Sequence, residues 1–228
     1  MLSCLGFRQN PLPVPYLTDV TALAPPATRF VPDRRYSVEE WLAIEEATGE
    51  RYEYHGGQLV SVRAMAGGTF THALLIGNVT GQLYTAIRAA APRLDRCNVL
   101  PSDLRLAARS RERYVYPDAA VVCGPPRYDG VVASAVVNPI CIVEVISKSS
   151  AELDTGDKFE WYAERETLRD YILVDYRRRA VEVRSRATAT AEWHTRLVAA
   201  PETHVAIPGL DAGVDLGEVY RNWERPKA

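Results

Sequence analysis

Two carboxylates stand out because of where they sit. Glu144 interrupts the apolar run ICIVEVISK, and Asp118 follows a proline at the head of a second apolar run, YVYPDAAVVCG. In an extended strand Ile140, Ile142, Glu144 and Ile146 point one way and Cys141, Val143 and Val145 the other, so both faces are apolar and the strand belongs inside a sheet. An ionised carboxylate there costs several kcal/mol unless it is paired or bound to a cation. A salt bridge to an arginine would satisfy Glu144 alone, and a turn-capping role would satisfy Asp118 alone. Two adjacent strands aiming both at one spot need more, because like charges so placed do not both stay ionised without a counter-charge. With oxygen donors only and no CxxC pair or paired histidines nearby, that counter-charge is expected to be Mg²⁺ or Mn²⁺ rather than zinc.

Lys158 is the third piece. It opens the segment DTGDKFEWYAERETLRD, where the positive end of a helix disfavours a lysine, so helix energetics alone do not explain it. Its plain alternative is a solvated surface lysine. Lys148 shares a strand face with Glu144, but four residues along a strand is ~13 Å, far for a shared water.

The elements that must hold these groups follow from local patterns. YSVEEWLAIEEATG predicts a helix: Ser37 and Glu40 form an S-x-x-E capping box, Tyr36 and Trp41 fill the staple positions, and Gly49 closes it. RYEYHGGQLVSVRAM predicts two strands around a turn at His55, Gly56 and Gly57, with Glu53 in the first arm. THALLIGNVTGQLYTAIRAA predicts a longer helix with Leu75, Val79, Leu83 and Ala86 or Ile87 on its apolar stripe. CNVLPSDLRLAA, RYVYPDAAVVCG, NPICIVEVIS and DYILVDY read as sheet strands, and RRRAVEVRSR as a polar edge strand. Between the last two apolar strands, Phe159, Tyr162 and Ala163 mark the buried side of a helix. Two helices, then a mixed sheet with one helix crossing between its strands, make an α/β layer structure.

Composition narrows the field. The 228 residues, 47% hydrophobic and 25% charged, fit one domain with a tail, and residues 1–35, which contain PLPVP and APPATRFVP, are expected to be a proline-rich, flexible arm. A net charge of −2 excludes a global positive field, so any nucleic-acid contact must be local, with Arg105, Arg109, Arg111 and Arg113 as the candidate patch. Cys4, Cys97, Cys123 and Cys141 lie far apart and are expected to be reduced thiols. There is no basic leader ahead of a long apolar stretch and no run of ~18 apolar residues, so a cytoplasmic, membrane-free protein is expected.

The PD at 117–118, followed by VEVIS, resembles the PD-(D/E)xK nuclease superfamily. The ordered set YSVEEWLAIEEATGERYEYHGGQLV, THALLIGNV, YPDAAVVCG, VEVISKSS and GDKFEWYAE is similar to the Uma-two family of restriction-endonuclease-like proteins, over roughly residues 36 to 222. This resemblance implies an α/β fold with a restriction-endonuclease-like mixed β-sheet flanked by helices, spanning 36–228. It implies a metal-dependent endonuclease acting on nucleic acid, with DNA as the expected substrate. The catalytic set would be Glu53, Asp118, Glu144 and Lys158, with Asp118, Glu144 and Glu53 holding Mg²⁺ or Mn²⁺. A homodimer is left open. The superfamily's lysine position is Ile146 here, and Lys158 on the next helix takes its place; SKS stands where the family has SPS, Gly56 where it has aspartate, and His72 matches a histidine opening the second helix, read as structural. Two rivals remain: a nuclease-like fold that binds nucleic acid or protein without cutting, and a hydrolase of small phosphoesters.

Overall fold

The computed structural model describes residues 30–62, 69–146 and 154–225. Helix α1 (Val38–Thr48) begins as the sequence predicts. Ser37 Oγ accepts from the Glu40 N–H at 3.2 Å, Glu40 Oε2 accepts from the Ser37 N–H at 2.9 Å, and Gly49 ends the helix in the left-handed region at φ 67°. Trp41 and Ile44 are fully buried, and the Trp41 indole donates to Tyr52 O at 2.8 Å, tying α1 to strand β1 (Tyr52–His55). Gly56 and Gly57, at φ 57° and 98°, turn β1 back into β2 (Gln58–Ser61). Of the proline-rich arm, residues 1–29 lie outside the described residues; Phe30 stacks on Tyr52 at 5.1 Å, so contact with the core begins before residue 36.

The remaining strands form a larger mixed sheet and complete a smaller one. β3 (Cys97–Pro101), β6 (Ala119–Cys123), β7 (Cys141–Ile146), β8 (Asp170–Asp175), β9 (Ala180–Ser185) and β10 (His194–Ala199) form a six-stranded sheet in the order β10-β9-β8-β7-β6-β3. β7 and β8 run parallel, connected through helix α3 (Asp157–Ala163), and the other neighbours are antiparallel. β4 (Leu106–Arg109) and β5 (Arg113–Val115) join the first hairpin as an antiparallel sheet in the order β2-β1-β5-β4. Helix α2 (Phe70–Ala89) lays Leu75, Val79, Leu83 and Ile87 on one face of the six-stranded sheet, against Ala119, Val121, Val143 and Val145. The opposite face packs Ala120, Ile142, Tyr171 and Leu173 against Tyr162 of α3 and Leu106 and Val115 of the small sheet. A hairpin, β11 (His204–Ile207) and β12 (Ala212–Asp215), and the short helix α4 (Leu216–Val219) complete the α2 side.

Three expectations are corrected. The runs at 97–108 and 113–124 each divide between the two sheets, at the turn after Pro101 and at Pro117 respectively. β9 is not an edge strand, because β10 pairs with its outer side. Cys97 and Cys123 are bonded as a disulfide rather than free, because antiparallel β3 and β6 bring these residues, 26 apart in sequence, directly opposite each other. Cys141 stays a free, buried thiol, and Cys4 lies outside the described residues. Among the described residues no helix is long and apolar enough to cross a membrane.

Candidate active site

The site begins where the β6–β7 ladder stops. Pairing runs from Val121↔Cys141 to Ala119↔Val143; the same register would set Asp118 opposite Glu144 and then Pro117 opposite Val145, and Pro117 has no N–H to give. Past that point the backbone of Val145 is taken by side chains: its N–H donates to Asp118 Oδ2 at 2.7 Å, and its carbonyl accepts from His72 Nε2 at 3.1 Å. His72 therefore carries a proton on Nε2, which also lies 3.5 Å from Asp118 Oδ2. Its own place is set by the start of α2, where Thr69 caps the helix by accepting from the His72 N–H. The Asp118 N–H donates in turn to Glu144 Oε2 at 3.4 Å. Asp118 and Glu144 thus meet at the end of one strand pair, through the Asp118 backbone N–H.

Glu144, 3% exposed, lies on the sheet face covered by α3. Lys158 and Tyr162, one turn apart on α3, turn toward it, and Asp154 reaches the same place from the segment ahead of the helix. The Lys158 ammonium, 5% exposed, stands 3.4 Å from each of Glu53 Oε1, Glu144 Oε1 and Asp154 Oδ1. The Tyr162 hydroxyl donates to Glu144 Oε1 at 3.1 Å, and the Tyr171 hydroxyl donates to Asp154 O at 2.8 Å. Glu53 comes from the other sheet and is fully buried; its Oε1 accepts from the Tyr116 N–H at 3.2 Å and its Oε2 is 2.9 Å from His55 Nε2. Carboxylates thus compensate a lysine that the helix start disfavours.

Charge is unevenly shared. Burial pushes the Glu53 carboxyl up, but Lys158, His55 and the Tyr116 N–H outweigh it and hold it below the usual range. Burial pulls Lys158 down, but Glu144, Glu53 and Asp154 hold it well above its ordinary value, so it is a cation. For Glu144 burial wins: opposed by Lys158 and reinforced by Asp154, Asp118 and Glu53, it raises the carboxyl well above the usual range. At His72 burial lowers the value and the contact with Asp118 more than restores it. Glu53, Asp118, Glu144 and Asp154 therefore surround a single lysine, with more negative charge than one ammonium balances. Among the described residues no three His, Cys, Asp or Glu side chains are arranged as a ready metal centre. The donor chemistry nevertheless suits a hard cation: Asp118 and Glu144 offer only oxygen, and such an ion would favour the ionised Glu144 that burial disfavours.

The structure brings together Glu53, Asp118, Glu144 and Lys158, four residues singled out from the sequence. Lys148 lies outside the described residues. Asp154 and Tyr162 join the site without having been singled out for it from the sequence: Tyr162 stands one helical turn after Lys158, a spacing that could have found it, whereas Asp154 lies ahead of α3. Of the four arginines proposed as a phosphate patch, Arg105 pairs with Glu45, and Arg109 with Glu112 and Glu164.

Comparison with known proteins places these features. The Uma2 family, described as "Putative restriction endonuclease", matches residues 38–216. Two curated relatives from Synechocystis sp. (strain PCC 6803) are similar: the uncharacterized protein slr1290, 32% identical over 63% of this chain and 70% of its own, and the uncharacterized protein sll1609, 33% identical over 60% and 72%. A crystal structure described as a putative nuclease belonging to DUF820, from Anabaena variabilis ATCC 29413, shares the fold at a TM-score of 0.61. It is 14% identical, and the match covers 82% of this chain and 98% of that one.

Proposed function

The chain belongs to the Uma2 family of restriction-endonuclease-like nucleases, and from that premise we propose that it is a metal-dependent endonuclease hydrolysing phosphodiester bonds in DNA. The observation that carries this reading is the meeting of Asp118 and Glu144 at the end of the β6–β7 ladder, with the Lys158 ammonium 3.4 Å from Glu144. Asp118 and Glu144 would hold Mg²⁺ or Mn²⁺, with Glu53 behind them, and the ion would supply Lewis-acid polarisation of the phosphoryl oxygen and an acidified water.

The chain's own groups do the rest. Lys158 brings a fixed positive charge to a phosphodiester whose negative charge rises as water attacks, and in a buried setting that charge acts more strongly than in water. Glu53 and Asp154 hold the ammonium from two further sides, so its position does not depend on Glu144 alone. Tyr162 orients Glu144 by donating to Oε1, and His72 keeps Asp118 against the Val145 backbone. His72, Tyr162 and Asp154 are positioning residues in this scheme.

The test is cleavage of supercoiled plasmid in Mg²⁺ and in chelator. The parent should nick or linearise it only with the ion. Asp118→Asn, Glu144→Gln and Lys158→Met should each abolish cleavage, with losses that do not add, because all three serve one transition state. Cleavage surviving all three substitutions, or a parent inert with both Mg²⁺ and Mn²⁺, would sink the reading. Retention of plasmid without nicking would instead support a binding module, the reading that the chain's net charge of −2 leaves in play.

A further inference from the structure

Beside the carboxylates, the small sheet carries a second constellation. His55 stands two residues along β1 from Glu53 and on the same face, ~7 Å away. It is paired across the ladder with Arg113 of β5. Trp161 of α3 closes the group: its ring meets the His55 ring edge-on with centroids 4.8 Å apart, and the Arg113 guanidinium lies 4.8 Å over it. Gly56 leaves the room for this, since a Cβ there would fall 2.8 Å from Arg113 Nη1. Arg35 reaches the same turn and donates to Gly56 O at 2.8 Å.

Arg113, like Arg35 at the same turn, pairs with no carboxylate among the described residues, unlike most arginines nearby. Arg51, Arg105, Arg109 and Arg184 each sit in an ion pair. The adjacent carboxylate, Glu112, is engaged by Arg109. Arg113 Nη1 donates to the backbone oxygen of Glu112 at 3.0 Å, and among the described residues its Nε is buried with no acceptor. A planar guanidinium held on an indole, beside a histidine and neutralised by no carboxylate among the described residues, has its order prepaid and its charge unspent. A phosphate oxygen could accept from the outer guanidinium N–H groups, of which only Nη1 is engaged among the described residues, and stacked aromatic and cationic side chains are the pairing that nucleic-acid grooves use.

We propose that Arg113, laid on Trp161 beside His55, is the seat for a substrate phosphate flanking the bond that is cut. The inference rests on the nuclease reading and adds to it one contact of the substrate backbone outside the Asp118–Glu144 pair. The seat reads charge and not base sequence.

Binding of a labelled duplex oligonucleotide to the full chain tests this, by fluorescence anisotropy across a salt series in Ca²⁺, used in place of Mg²⁺ to read binding apart from turnover. Arg113→Gln should bind roughly tenfold more weakly, and the slope of log K against log salt should flatten by about 0.9, equally for duplexes of unrelated sequence. Arg113→Lys keeps the charge but loses the planar fork, so it should keep the slope and lose about threefold in affinity. Arg109→Gln, which removes an ion-paired arginine, should leave both unchanged. If Arg113→Gln melts below the assay temperature, Arg113→Lys decides, and unchanged affinity in that variant overturns the proposal. A parent that binds while Arg113→Gln matches it in affinity and slope overturns this inference alone; a parent that binds no duplex at all overturns it together with the nuclease reading.

Discussion

Replacing Glu144 by glutamine separates a functional carboxylate from a structural one. Glutamine keeps the shape and an oxygen for the Tyr162 hydroxyl and the Lys158 ammonium, which lie 3.1 and 3.4 Å from Oε1 in the parent. The charge is lost, and with it the acceptor that Oε2 offers the Asp118 N–H at 3.4 Å. Breaking a buried ion pair costs ~3 to 5 kcal/mol when it strands the partner. Here Lys158 is not stranded, because Glu53 and Asp154 each remain at 3.4 Å. The lost charge is also one that burial and three neighbouring carboxylates already disfavour. In chelator, therefore, Glu144→Gln should be as stable as the parent to within ~1 kcal/mol, or more stable. Mg²⁺ at a hundred times its dissociation constant would stabilise the parent by ~2.7 kcal/mol and the variant by far less. At ~2 to 4 °C per kcal/mol for a chain of this size, the melting temperatures should move apart by ~5 to 10 °C. Paired thermal melts of parent and variant, in chelator and in Mg²⁺, read all four values. A loss of ~3 kcal/mol or more in chelator would make Glu144 a structural salt-bridge partner and refute the reasoning.

Lys158→Met should behave in the opposite way: it removes the cation from among Glu53, Glu144 and Asp154, so it should cost ~3 to 5 kcal/mol in chelator, and denaturant unfolding with and without Mg²⁺ should show part of that loss recovered by the ion. Tyr162→Phe deletes one hydrogen bond to Glu144 and should cost about 1 kcal/mol in the same assay while leaving measurable plasmid cleavage. Asp170 gives a pH signature away from the site. Burial pushes its carboxyl up to about 6, against backbone bonds from Gly209 and Leu210. The unfolded value near 3.9 is lower, so the folded protein holds this proton more tightly; the stabilisation is full below about pH 4 and is lost, by roughly 3 kcal/mol, as pH rises through about 6. Asp170→Asn should remove that decline, and urea midpoints that fall equally in parent and variant between about pH 4 and pH 8 would contradict it.

What could be read from the sequence depended on how far each rule reaches along the chain. The capping box of Ser37 and Glu40 and the Gly56–Gly57 turn are short-range devices, and both stand where the sequence predicts them. The meeting of Asp118 with Glu144 was also readable, because a proline before an apolar strand marks where ladder bonding ends. Lys158 fits a helix start poorly, but its three carboxylate partners come from two sheets and the segment ahead of α3, and no spacing rule announces that. Tyr162 follows Lys158 by one helical turn, a period legible in the sequence, whereas Asp154 lies ahead of α3, where that period does not reach. The division of residues 97–124 between two sheets, and the pairing of Cys97 with Cys123, depend on strand register between distant segments, which local pattern does not encode.

The central claim is that Asp118 and Glu144 form one cation site. Crystals grown with Mn²⁺ and measured for its anomalous signal test it directly. A single strong peak in contact with both carboxylates is expected, with Lys158 beside it and the same peak lost in Glu144→Gln. A structure from Mn²⁺-saturated protein with no peak between them, and with the Lys158 ammonium still the only cation at Glu144, would contradict it.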